Sequence, residues 1–451
     1  MKKLFTLVSV LVVLSMLLSA CSQPTATPAP PTKAPEPTKA PVAAAPTAAP
    51  TKAPEPTKAP EPTKAPEPTK APAPTQPPAP AAARPLKIGV LADVGAGLTA
   101  YGQMLQRGFE LGLAYQTKGS NKVAGREIQI IVKDTESKPD VGTQRARELI
   151  EKDGVEILVG TPSSAVALAV AGVAKEYKKI FVVTPAAADA ITGASFNKYI
   201  FRASSSASND ALAGAKYAVR ELGKTFAGLA PDYSWGQDQI KVWKQIIEAN
   251  GGKFVAEIFA PATTTDFTPY FQKAMDSKAE VLFVAWAGAT PLFNQLQEQG
   301  VLKKMKLTTG VPDNLSLAAS PGLIGNKGLI KYHYTFPKNP VNDWLVAEHQ
   351  KKFNAPPDLF TDTSFAAAQA IVMALEKTNG DTDPEKLIPV MEGMSWDAPK
   401  GKFTFRKEDH HALQPMYTAE VVAGPDGKPS VKLVKELSPE DCAPEITAPK
   451  Q

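Results

Sequence analysis

Two short runs in this chain place hydroxyls and free backbone groups where an anion would be held. Gly160-Thr161-Pro162-Ser163-Ser164 follows the apolar stretch 155–160 and precedes an alanine- and valine-rich stretch of helical character. A strand ending in glycine and a helix opening on serine aim N–H groups and hydroxyls at one point, because the first turn of a helix lacks partners of its own. Ser163 as a simple helix cap is the competing reading. Thr184-Pro185-Ala186-Ala187 repeats the arrangement after the next strand. That is the carboxyl edge where open α/β sheets bind ligands.

Catalytic and metal chemistry find little support. The histidines are His333, His349, His410 and His411, and the last two read as a solvated pair in a polar turn. Asp381 and Asp383 read as a loop and helix cap, since the spacing of a calcium loop is not met. There is no Walker loop, no Gly-x-Ser-x-Gly elbow and no Cys/His zinc spacing. The expectation is a binding protein that uses no cofactor and no metal, and that is not an enzyme.

The elements that must position these runs alternate regularly. Strands are predicted over 87–91, 127–133, 155–160 and 180–184, with helices over 101–115, 141–152 and 165–177 between them. The pattern restarts with strands 225–229, 254–259 and 279–285 and helices 235–250, 268–277 and 291–299. Continuous apolar strands joined by helices of this length imply parallel sheet covered on both faces. Three further helices, 341–353, 364–378 and 384–391, precede hairpin-like strands at 402–405, 416–422 and 431–434. The fold class is therefore α/β, two doubly wound lobes, with late helices returning to the first lobe through a hinge crossed more than once.

Composition sets the outer limits. The chain has 451 residues, 43 prolines and a formal charge of +5. About half the prolines lie between Cys21 and Pro85, where Pro-Thr-Lys-Ala-Pro-Glu recurs from Pro31 to Pro74. Proline removes donors and the apolar residues are small, so this stretch builds no core and reads as a polyproline II spacer reaching at most about 200 Å. Lys2 and Lys3 supply two of the excess charges, and the linker supplies three through seven basic and four acidic residues. The remaining region is formally neutral, which argues against nucleic acid as a partner. With Cys21 and Cys442 the only cysteines, no disulfide is expected, and Cys442 reads as a passive tail residue.

Two lysines, an apolar run over 4–18 and a small-residue site form a secretory signal segment, too short to span a bilayer comfortably. Leu18-Ser19-Ala20-Cys21 resembles the lipobox of bacterial lipoproteins, which implies acylation of Cys21 and an extracytoplasmic, membrane-anchored location. The expected organisation is signal peptide 1–20, lipidated terminus and linker 21–85, solute-binding region 86–435 and tail 436–451. Lobe one takes about 86–205 and 338–395, and lobe two takes about 206–337 and 396–435.

In order and spacing, the runs at Gly160 and Thr184 resemble the leucine-binding family of ABC-transporter solute receptors, together with Gly95-Ala-Gly-Leu-Thr-Ala-Tyr101-Gly102, Asp232-Tyr-Ser-Trp235-Gly236 and Val311-Pro-Asp313-Asn314. The resemblance covers Lys87 to about Val434. It implies a type I periplasmic binding protein fold, closing as a monomer on an amino acid or other small carboxylate and delivering it to an ABC permease of the cytoplasmic membrane. A ligand-sensing receptor with the same clamshell is the alternative.

The ligand-binding residues so implied are Tyr101, Ser163, Ser164, Ala186, Ala187, Trp235, Trp286 and Asp313, with core packing the equal alternative for Trp286. Asp313 would face a ligand ammonium. Ala188 stands where the family's amino-acid binders often carry threonine, and Trp235 where they carry a wall tyrosine. A half-disulfide site of the leucine binders falls on Ser137 and Ser163. These departures weigh against leucine itself.

Overall fold

The computed structural model describes residues 84–449, apart from 96, 288 and 289. The signal segment, Cys21 and all but the last two residues of the linker lie outside the described residues.

The first sheet is built on β1 (Leu86–Ala92), with β2 (Lys122–Val123), β3 (Arg126–Asp134), β4 (Ile157–Gly160), β5 (Ile180–Val183) and β6 (Ile200–Arg202) in the order β2-β3-β1-β4-β5-β6. All its pairings are parallel except that of the short β2 with β3. Alternate residues feed two cores, as a pleated strand requires. Ile88, Val90, Ile157 and Val182 pack on one face with Leu105 and Phe109 of helix Thr99–Gln116 and Ile371 of helix Thr361–Lys377. Leu158, Phe181 and Val183 pack on the other with Val166 and Val170 of helix Ser164–Glu176. Gly108 and Gly112 let the first two helices touch backbone to backbone. A Cβ there would stand 2.3 Å from the Thr361 carbonyl oxygen and 2.4 Å from that of Phe365.

The second lobe repeats the plan with β7 (Thr225–Pro231), β8 (Lys253–Ala260), β9 (Val281–Val284) and β10 (Lys306–Thr309), all parallel in the order β10-β9-β7-β8. Helices Ala207–Glu221 and Ser234–Ala249 cover one face, where the Trp243 ring stacks on Phe283 at 3.8 Å. Helices Thr268–Asp276 and Leu292–Glu298 cover the other. An antiparallel sheet of β11 (Lys327–Ile330), β15 (Met416–Ala423) and β16 (Pro429–Leu437) completes it. Core membership passes from one lobe to the other near residues 203–207, 330–341 and 412–416, which makes the hinge triple.

Two expectations are corrected here, and the place of Cys442 is added. The strands β12 (Ser395–Ala398), β13 (Gly401–Phe405) and β14 (Ala412–Leu413) belong to the first lobe, not the second, because Trp396, Phe403 and Phe405 bury themselves in its core. His410 and His411 are buried rather than solvated. The His410 ring stacks flat on Phe201 at 4.0 Å and its Nδ1 pairs with the Ile200 carbonyl, so protein groups take the place of solvent on that face and at that nitrogen. Cys442 is fully buried in the second lobe's core, and Asn209 Nδ2 donates to its carbonyl oxygen at 2.7 Å. The tail is therefore packed, and burial pushes the thiol up to about 12.

Candidate ligand-binding cleft

β4 delivers Gly160 to the start of helix Ser164–Glu176, and β5 delivers Thr184-Pro185-Ala186-Ala187 beside it. Ser163 sits at the cap position without a side-chain cap bond, and its carbonyl accepts from Thr161 Oγ1 at 2.7 Å. Ser164 Oγ accepts from the amides of Ala187 and Ala188, each at 3.1 Å. With both acceptor sites of the hydroxyl taken, its own proton remains to be donated. Ala186 N donates to the Thr161 carbonyl, so the amides of 186–188 are all spent inside the lobe.

A cavity of about 90 Å³ lies between the lobes at this point. Its walls are aromatic. Tyr101, edge-on to Phe360 at 4.7 Å, and Ser164 come from the first lobe, and Tyr233, Trp235 and Trp286 come from the second. Trp286 is steadied edge-on by Phe267 at 4.8 Å. Burial, with Tyr101 close by, pushes the Tyr233 phenol well above its ordinary range.

Of the residues expected from the sequence, Tyr101, Ser164, Ala187, Trp235 and Trp286 line this cavity, while Ser163, Ala186 and Asp313 do not. Asp313 is corrected most sharply. It caps the short helix Asn314–Ala318, its two carboxylate oxygens accepting from Ser316 N at 3.0 Å and Ser316 Oγ at 2.8 Å. Neighbouring Asp358 is likewise spent on the Asn314 and Leu359 amides, and burial raises it to about 6.

Sequence reasoning missed the polar floor. Asp210, on helix Ala207–Glu221, lines the cavity with Lys331 and Gln239. Lys331 Nζ stands 2.6 Å from Asp210 Oδ1 and 2.8 Å from Oδ2, and also donates to Ser205 Oγ at 2.9 Å. Gln239 Nε2 donates to Asp210 Oδ2 at 2.7 Å. The signal was a capping box: Ser206 Oγ receives the Asn209 amide while Asn209 Oδ1 receives that of Ser206.

A larger cavity, about 560 Å³, lies between residues 189–194, helix Ser234–Ala249 and the tail. Its walls carry Asp189, Asp238, Asp409 and Glu445 and none of the expected site residues. Of these two cavities among the described residues, the smaller joins aromatic walls to convergent polar groups, the usual make-up of a small-molecule site.

Residues 85–428 match the periplasmic binding protein family. A Leu/Ile/Val-binding protein homolog from Brucella melitensis is 27% identical over 356 residues, covering 77% of this chain and 90% of its own. The crystal structure of an ABC-type branched-chain amino acid transporter protein from Rhodopseudomonas palustris is 42% identical with a TM-score of 0.71, covering 81% of this chain and all of its own. A solute-binding protein of an ABC transporter from the same species, solved with 4-hydroxybenzoate, is 28% identical with a TM-score of 0.72, covering 78% of this chain and 97% of its own.

Proposed function

Because this chain belongs to the periplasmic binding protein family, an extracytoplasmic family of ABC-transporter solute receptors rather than enzymes, we propose that it is a lipid-anchored receptor that closes on a small carboxylate and delivers it to a membrane permease. The observation that carries the ligand class is the Ser164 hydroxyl, which has both acceptor sites filled and its donor left at the mouth of a helix N-terminus. Donors converging at a helix start favour an anion. Aromatic side chains on both lobes then cover the body of the ligand. A solute touching both lobes stabilises the closed state over the open one, which is what a permease must recognise.

Relatives solved with 4-hydroxybenzoate and 3,4-dihydroxybenzoic acid, and others named for branched-chain amino acids, bracket the candidate ligands. The test is a thermal-shift screen of the mature protein against amino acids, aromatic acids, amides and short carboxylates. Stabilisation confined to carboxylates supports the reading, and stabilisation only by amides or uncharged solutes overturns it. For the anchor, Cys21→Ser should leave unacylated precursor or secreted protein. Unchanged detergent partitioning and mature mass would refute lipidation.

A further inference from the structure

The polar floor of the cleft bears on which carboxylate is bound, given the carboxylate reading of Ser164 on which any such choice rests. Among the described lining residues Asp210 is the sole carboxylate and Lys331 the sole cation, and they are paired at 2.6 Å. The pair is largely buried, with side-chain exposures of 3% for Asp210 and 15% for Lys331. Lys331 spends its ammonium on Asp210 and Ser205. A carboxylate offers about four acceptor sites. Lys331 and Gln239 occupy three on Asp210, which leaves Oδ1 with capacity for one more donor.

That donor cannot bring a full positive charge cheaply. Asp210 is already paired with Lys331, so a ligand ammonium would enter an aromatic-walled site with no lining carboxylate left to neutralise it. The other acids near the cleft do not supply one. Asp313 is fixed on Ser316, Asp358 on the Asn314 and Leu359 amides, and Asp362, fully buried outside the cavity lining, faces Lys400 at 4.0 Å. An uncharged hydroxyl or amide N–H needs no counterion and leaves no buried group unsatisfied.

We propose that Asp210 receives an uncharged hydrogen-bond donor of the ligand, so that the cleft selects hydroxylated or amide-bearing carboxylates over amino acids. A site built to bond a hydroxyl discriminates strongly against the analogue lacking it, because its own acceptor is then left unpaired.

The test is isothermal titration of the mature protein with two matched sets: benzoate, 4-hydroxybenzoate and 4-(aminomethyl)benzoate; and 4-methylpentanoate, its 2-hydroxy derivative and leucine. In at least one set the hydroxy acid should bind about 10- to 100-fold tighter than its parent, and the amino member no tighter than the parent. Asp210→Asn should bring the hydroxy-to-parent ratio close to one. Tightest binding by the amino member, or equal binding within both sets, overturns the assignment while leaving the carboxylate reading intact. Binding of no member of either set overturns the carboxylate reading, and the Asp210 assignment with it. Should Asp210→Asn fail to fold, the ranking measured on the native protein decides alone.

Discussion

Ser164 Oγ lies 3.1 Å from the amide nitrogens of both Ala187 and Ala188, so one hydroxyl ties the start of a helix to the loop that follows the neighbouring strand. Ser164→Ala removes the one side-chain acceptor those two amides have among the described residues and also the donor facing the cleft. Each orphaned buried N–H costs about 1–3 kcal/mol. The variant should melt at lower temperature and bind carboxylates about 10- to 100-fold more weakly. Calorimetry of both quantities separates the roles, since a lower melting temperature with unchanged affinity would make the hydroxyl structural only.

Trp235 covers the cleft from the second lobe, with its ring 6.0 Å from that of Tyr233. Trp235→Ala should weaken binding by about tenfold or more, as expected for losing burial of a large apolar side chain. It should also reduce the ligand-induced fall in radius of gyration measured by small-angle scattering. Full compaction in the variant would show that closure does not need this ring.

Asp313→Ala should leave ligand affinity unchanged while lowering stability by about 1 kcal/mol, the usual cost of a lost helix cap. A selective loss of affinity for amino acids would restore Asp313 to the role of ammonium partner.

Asp358 carries a pH signature of definite sign. Its folded-state value of about 6 lies above the ordinary 3.8 because burial disfavours the charged form. Between about 4 and 6 the unfolded chain has ionised at this residue while the folded one keeps its proton, so stability falls as pH rises through that window. The loss is complete above about pH 6 and is on the order of 2–3 kcal/mol. Asp358→Asn should lack that slope, so the melting temperature of the variant relative to the native protein should rise across pH 4–7. A difference that stays flat across this range would place the titration elsewhere.

The parts of the fold legible in the sequence were those whose burial is local. β4 and β5 are continuous apolar runs buried on both faces, β1 is one apart from half-buried Lys87, and the Gly160 and Thr184 turns announce themselves by residue type. Helix Ala207–Glu221 was missed because its buried positions are mostly alanine, with Asn209 and Asp210 among them, so its hydrophobic period is faint. Asp210 was missed with it. Lys331 was missed because its partner is 121 residues away, and no local pattern encodes such a contact. The same limit misassigned β12 to β14, whose apolar residues could have served either lobe. Asp313 shows the opposite failure, since a resemblance carried an acidic role onto a residue that local capping had already claimed.

The packed tail offers a way to observe the protein at work. Asn209, at the head of a second-lobe helix, holds the Cys442 carbonyl, while Arg406 of the first lobe holds that of Pro444 at 2.8 Å. Residues 442–444 are thus stitched to both sides of the hinge. Ile446, two residues on, is about half exposed and lines neither cavity. A fluorophore attached there would ride on the seam between the lobes. Its emission would turn solute capture into an optical signal without altering any residue of the cleft.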